Sequence, residues 1–229
     1  MNKPIFIIGL LVAILANFLL PNLPRCQSDT VALPEPRLKG SVSLEEAIYR
    51  RRSVRTFRDE PLDLAAVSQI LWAAGGKTID GITGPTRSYP SAGGIYPLAI
   101  YLAAGKVTGL APGVYRYDWS KHSLALVRAG DVRASLSLAA GGQTAVASAP
   151  ASIVIVGDPG KISARYGGRG VERYLAMDSG HAGENIHLQV QALGLGTVAV
   201  GAFKDEAVLE ALGIGGVTPL YIMPVGKPD

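Results

Sequence analysis

Two arginines with a serine between them, Arg51, Ser53 and Arg55, are the first residues whose types and spacing suit chemistry. In an extended segment alternate residues share one face. An anion on that face meets two guanidinium forks and a hydroxyl donor, the partners a phosphate prefers. A second group is the run Tyr89-Pro90-Ser91-Ala92-Gly93-Gly94-Ile95-Tyr96-Pro97. Its small residues, held between prolines, make a rigid path against which a planar ring lies without side-chain obstruction. The third is Gly194-Leu195-Gly196, continued by Thr197-Val198-Ala199-Val200-Gly201-Ala202-Phe203. These glycines follow a helix rather than open one, so the run is not a dinucleotide-binding fingerprint. Taken singly, each reads equally well as a basic turn, a loop or a helix-to-strand connection.

Other catalytic chemistries find little support. No Ser-His-Asp or Cys-His arrangement can be defended, so no catalytic side chain is assigned. One cysteine and three histidines, none in a ligand-spaced cluster, argue against a metal site. His181 and His187 read as structural histidines, and Tyr96, Gln143 and Tyr166 as candidates for a substrate pocket. The net charge is +4, but Lys3 and Arg25 lie in an N-terminal segment without acids. There is no basic tract interleaved with aromatics, so nucleic acid is not an expected partner.

The elements that must position these groups follow from periodicity. Ser43 with Glu46 three residues on opens a helix in capping-box style, ending in Arg50-Arg51-Arg52. Asp63 caps a second helix, whose Leu64, Val67, Ile70, Leu71 and Ala74 recur at helical spacing up to Gly75. Strands are predicted at Leu98 to Ala104 and at Ala151 to Gly157, the latter a buried β-branched run. Gly113 to Tyr117 with Ser123 to Arg128 forms a hairpin. The longest helix runs from about Val171 to Leu193 and stops at Gly194. A short strand at Thr197 to Gly201, a helix at Glu206 to Leu212 and a strand at Leu220 to Val225 complete the pattern. The class is α+β, layered, with a mixed sheet flanked by helices.

The chain of 229 residues is 48% hydrophobic and 17% charged, enough for one sizeable core. Ile5 to Leu20 is an apolar run behind Lys3, the layout of an export signal. Residues 1–26 are expected to act as a signal peptide, a lipoprotein signal ending at Cys26, or a retained membrane anchor. Residues 27–40, rich in proline, are expected to be a linker, and residues 41–229 the folded domain. The domain is then expected outside the cytoplasm, periplasmic or on the outer face of the membrane.

Arg-x-Ser-x-Arg-x-Phe, Pro-Ser-Ala-Gly-Gly-Ile-Tyr-Pro and Gly-Leu-Gly with Val-Gly-Ala-Phe, in this order, resemble the three flavin motifs of the nitroreductase superfamily. The likeness spans roughly Ser43 to Pro228. The run Asp178-Ser179-Gly180-His181-x-x-Glu184-Asn185 resembles the branch that holds azoline-oxidising dehydrogenases and stand-alone relatives. The resemblance implies FMN as cofactor, a small-molecule substrate and an intertwined homodimer with flavin sites at its interface. By position it assigns Arg51, Ser53 and Arg55 to the phosphate, ribityl chain or pyrimidine edge. Ser91, Ala92 and Gly93 would approach from the partner subunit. Gly201 and Ala202 would offer N–H groups near N5 and O4, Gly196 would shape the approach, and Lys227 is the one late base left for the phosphate. Azole-forming relatives carry a Lys-Tyr pair where this chain has Arg165-Tyr166, and a guanidinium holds its proton too tightly to serve as a base. The implied reaction passes hydride or electrons from a reduced donor to a nitroaromatic- or quinone-like acceptor. The alternatives are oxidation of a heterocyclic or peptide-derived substrate, and a non-catalytic binding domain of the same fold.

Overall fold

The computed structural model describes residues 30–81 and 84–229, so the expected export segment lies outside the described residues. Nine strands are described: β1 (Thr30–Ala32), β2 (Lys77–Gly81), β3 (Gly84–Arg87), β4 (Leu98–Ala104), β5 (Gly113–Asp118), β6 (Ser123–Ala129), β7 (Ala151–Gly157), β8 (Gly196–Thr197) and β9 (Thr218–Gly226). Seven helices accompany them: α1 (Leu44–Arg50), α2 (Leu64–Gly75), α3 (Arg133–Ala139), α4 (Thr144–Ser148), α5 (Pro159–Arg169), α6 (Leu175–Ala192) and α7 (Asp205–Leu212).

Seven strands form one sheet in the order β1-β6-β5-β4-β7-β9-β8, and β2-β3 is a separate hairpin. The strand ladders are antiparallel throughout, so the expected mixed pairing shrinks to isolated parallel bridges, Ser53 to Thr197 and Leu62 to Val107. Every residue of β7 is buried. Its period-2 alternation sends Ile153 and Ile155 to one core and Val154 and Val156 to the other. α2 and α6 cover the first face through Val67, Ile70, Leu71, Ala182, Ile186 and Val190. α3, α4 and α7 cover the second through Leu136, Val146 and Val208. The result is a three-layer sandwich whose central strands see no water.

Local signals account for the helix starts. Ser43 Oγ accepts from Glu46 N at 3.1 Å, and Asp63 Oδ1 accepts from Ala65 N at 3.1 Å, each satisfying an amide that the first turn leaves unpaired. α6 is preceded by a π-helical turn at Gly170–Tyr174, which absorbs the start of the expected long helix. α3, α4, α5 and the β2-β3 hairpin carry no strong periodic signal and were not anticipated.

The boundary at Gly40 needs correction. Thr30–Ala32 pairs with Ser123–Ala125 as an edge strand, and Leu33 is buried in the first core. Ser68 Oγ donates to Pro34 O at 2.5 Å, while Gln69 holds Arg37 through both its N–H and its C=O. Prolines read as linker here rigidify an arm that packs on the domain.

Candidate functional site

α1 ends as Arg51 N donates to Ala47 O, and the chain leaves it extended. Val54 N then donates to Thr197 O at 2.9 Å, and Arg58 N to Lys227 O at 2.9 Å. These bonds lay the segment beside the Gly-x-Gly turn at one end and the C-terminus at the other. Val54 and Phe57, three residues apart, pack into the second core, while Ser53 and Arg55 are exposed and Arg51 is half-buried. Among the described residues neither Arg51 nor Arg55 has an ion-pair partner. Lys227 does, with Nζ 3.3 Å from Glu60.

Gly196 has a different reason to be glycine from the one expected. A Cβ there would fall 2.6 Å from Val54 Cβ. It lets the arginine segment reach Thr197, so it shapes the protein's own packing. Further along, Val200 pairs with Ile222 in both directions at 2.9 and 3.0 Å. Gly201 and Ala202 emerge exposed from that bridge, and Gln143 Nε2 reaches Ala202 O at 3.4 Å.

The Pro-Ser loop is latched to α6. Ser91 Oγ donates to Asp178 Oδ2 at 2.5 Å and accepts from Tyr96 N at 2.9 Å; Ala92 N donates to Asp178 Oδ1 at 3.3 Å. His181 Nδ1 lies 3.2 Å from Pro90 O, and Asn185 Nδ2 donates to Ser88 O at 2.7 Å. Positions 178, 181 and 185 share one helical face, which explains the Asp-Ser-Gly-His-x-x-Glu-Asn run as a loop clamp. The Ser91 hydroxyl is thereby engaged, and the exposed backbone at Gly93 and Gly94 is what remains to meet a ring. Gly93 has φ 60°, and a Cβ on it would fall 2.5 Å from the Tyr166 hydroxyl. Tyr96, with φ 51°, is held there by Lys161 Nζ donating to its carbonyl at 2.9 Å.

Beneath this loop lies Arg87, only 8% exposed and without a carboxylate partner among the described residues. Its guanidinium sits 5.4, 5.8 and 5.2 Å from the ring centroids of Tyr89, Tyr96 and Trp119, and Nε donates to Gly75 O at 2.8 Å. Burial lowers its pKa, and the neighbouring tyrosines oppose that shift. Sequence reading missed Arg87 because neither its burial nor the approach of Trp119, 32 residues on, is signalled by the local run that holds Tyr89 and Tyr96.

Within one subunit the two halves stand apart. Arg51 is close enough to His187 to help burial depress the pKa of that imidazole, whereas the loop is fixed at Asp178. Nine helical positions separate them, about 13 Å along α6.

The nitroreductase family profile matches residues 48–227. The chain belongs to the nitroreductase family. A nitroreductase-type protein of Methanocaldococcus jannaschii is 39% identical over 87% of this chain and 98% of its own length. A nitroreductase-type crystal structure from Ralstonia eutropha is 30% identical, covers 87% of this chain and 90% of that one, and superposes with a TM-score of 0.75. A chain of the Escherichia coli microcin synthetase complex shares the fold at 18% identity, with TM-score 0.67 over 96% of this chain and 94% of that one. Nitroreductase family members are flavin-dependent oxidoreductases, and the layered fold expected from the three motifs is the one found.

Proposed function

We propose that this nitroreductase-family chain is an FMN-dependent oxidoreductase that reduces a small nitroaromatic- or quinone-like acceptor and works as a homodimer. One observation carries the reading: half-buried Arg51 and exposed Ser53 and Arg55, the arginines without an ion pair among the described residues, lie beside the Gly196-Thr197 turn through the Ser53–Thr197 bridge. Two motifs more than a hundred residues apart in sequence thus share one edge of the sheet. When bound, FMN accepts and passes on hydride or electrons. Arg51 and Arg55 would meet its phosphate or the negative charge of its pyrimidine edge, with Ser53 adding a donor. The amides of Gly201 and Ala202, which donate to no other backbone group among the described residues, would orient the ring. Arg165 beside Tyr166 offers no base at neutral pH, which favours acceptor reduction over heterocycle oxidation.

The dimer has its own support. Leu38, Leu44, Ile48 and Tyr49 are 80, 61, 56 and 90% exposed, more apolar surface in one region than a monomer ordinarily shows to water. Leu44 and Leu38 also border a groove of about 620 Å³ between α1, α2 and α6, lined by Trp72, Leu188 and Leu193. None of the proposed flavin residues lines that groove. We propose that a second copy covers this face, with the Pro-Ser loop of one subunit then serving the arginine segment of the other, as the family resemblance implies. We also propose that residues 1–26 export or tether the domain; recovery of the full chain in the soluble cytoplasmic fraction would overturn this.

Titration of the purified protein with FMN, followed by flavin absorbance, tests the cofactor. Binding is expected, and Arg55→Ala should weaken it by about 1.5–3 kcal/mol, the worth of a charge-assisted hydrogen bond. Absence of any flavin binding would end the reading, and a neutral result would remove Arg55 from the site.

A further inference from the structure

The outer side of the Gly93-Gly94 loop faces a concentration of positive charge that the flavin does not require. Lys161 and Arg165 sit four residues apart on α5, and Arg169 and Arg173 four apart beyond the backbone break at Gly167 (φ 60°, ψ −152°). Like charges at that spacing repel on a helix, and none of the four has an ion pair among the described residues. Glu172, the nearest acid in sequence, turns its Oε1 toward Gly168 instead.

Two of these cations also lie over aromatic rings. The Arg165 guanidinium lies 5.5 Å from the Tyr166 ring centroid, and Arg169 lies 5.7 Å from that of Tyr174. The two rings meet edge to face at 5.0 Å and 85°. Arg165, Tyr166, Tyr174 and Arg169 therefore form one stack. It is fastened to the loop at two points: Arg165 Nη1 donates to Gly93 O at 3.2 Å, and the Tyr166 hydroxyl crowds Gly93. The Arg169 side chain makes no hydrogen bond among the described residues, so its whole fork is available.

We propose that Arg165 and Arg169, braced on Tyr166 and Tyr174, bind the carboxylate of an aromatic substrate at the rim of this loop, which makes the enzyme selective for anionic acceptors. The assignment of the bound aromatic as an electron acceptor rests on the flavin reading above; the anion site itself does not. A carboxylate beside these guanidiniums accepts hydrogen bonds from their forked N–H donors, the partners it prefers. A lipid surface needs only charge on flexible stems, so the bracing favours a small ligand. The rings add an apolar wall for the aromatic part of the substrate.

Equilibrium dialysis of the purified full chain with 4-nitrobenzoate and with 4-nitrobenzyl alcohol tests this, with and without FMN. The carboxylate is expected to bind about tenfold more tightly, and Arg165→Gln with Arg169→Gln should abolish the difference while flavin content, read by absorbance, stays as in the parent. Arg169→Gln alone should reduce it and is the safer variant for folding, since no internal hydrogen bond is lost. Binding is read without turnover, so a protein that takes up no flavin ends the flavin reading yet still reports on the anion site. Equal affinity for the two probes, or a preference that survives the double substitution, would overturn the proposal. So would a double variant that loses only its retention on phosphatidylglycerol over phosphatidylcholine vesicles, which would make this a lipid-facing surface.

Discussion

His187 shows how a single buried group couples the arginine edge to stability. It is 7% exposed, its Nδ1 has no hydrogen-bond partner among the described residues, and burial followed by the charge of Arg51 lowers its pKa from 6.5. Both influences oppose the charged form. Above about pH 6.5 the imidazole is neutral whether the chain is folded or not. As pH falls below that value the unfolded chain takes up the proton first, so folding stability declines until pH passes the lowered native value. His187→Leu should flatten this part of the profile, and thermal melts between pH 7 and pH 5 will show it. A parent and variant that lose stability in parallel over that range would mean another group is responsible. Bringing Arg51 closer to a bound anion should also relieve His187, so FMN is expected to shrink the same pH dependence.

Two elements are held by side chains far away in sequence. The Pro-Ser loop depends on Asp178, a buried carboxylate whose charge is met by Ser91 Oγ and Ala92 N rather than by a cation. Asp178→Ala leaves both donors without their acceptor and should cost about 2–3 kcal/mol, measured as a lower urea midpoint at unchanged slope. Flavin loading should fall with it if the loop reaches the partner's site. The N-terminal arm depends on Leu33, on Ser68 and on His122, whose Nε2 sits 2.7 Å from Ser68 Oγ and 3.0 Å from Pro34 O. A chain starting at Thr30 should melt like the parent. One starting at Ser41 loses the burial of Leu33 and these bonds, about 3 kcal/mol, and its melting temperature should drop accordingly. Equal melting of the two would mean that the arm is only laid on the surface.

For the whole molecule the decisive quantity is the association state. Exposed Ile48 and Leu44 lie four residues apart on one face of α1, above the groove. Ile48→Glu puts a charge on that face without disturbing the core of a monomer. Sedimentation at micromolar concentration is expected to show a dimer for the parent and monomer for the variant, with flavin lost on dissociation. A variant that stays dimeric would place the interface elsewhere.

Much of this was legible in the chain by itself. The buried strand at Ala151 to Gly157, the two capped helices and the hairpin at Gly113 to Arg128 follow from period and capping, because those signals sit within a few residues of the atoms they organise. The family likewise followed from three short motifs in order. What the residues alone left undecided concerns contacts between distant segments. Proline-rich 30–37 read as linker, since only the free edge of β6 gives it a partner. Gly196 read as a cofactor glycine, yet Val54, more than a hundred residues earlier, is what forbids a Cβ there. The Asp178 clamp joins positions 87 residues apart, and the Arg87 cage is closed by Trp119 from beyond the next strand. A hydrogen bond or a ring contact acts over a few ångströms, so its partners become visible only once the three layers have packed.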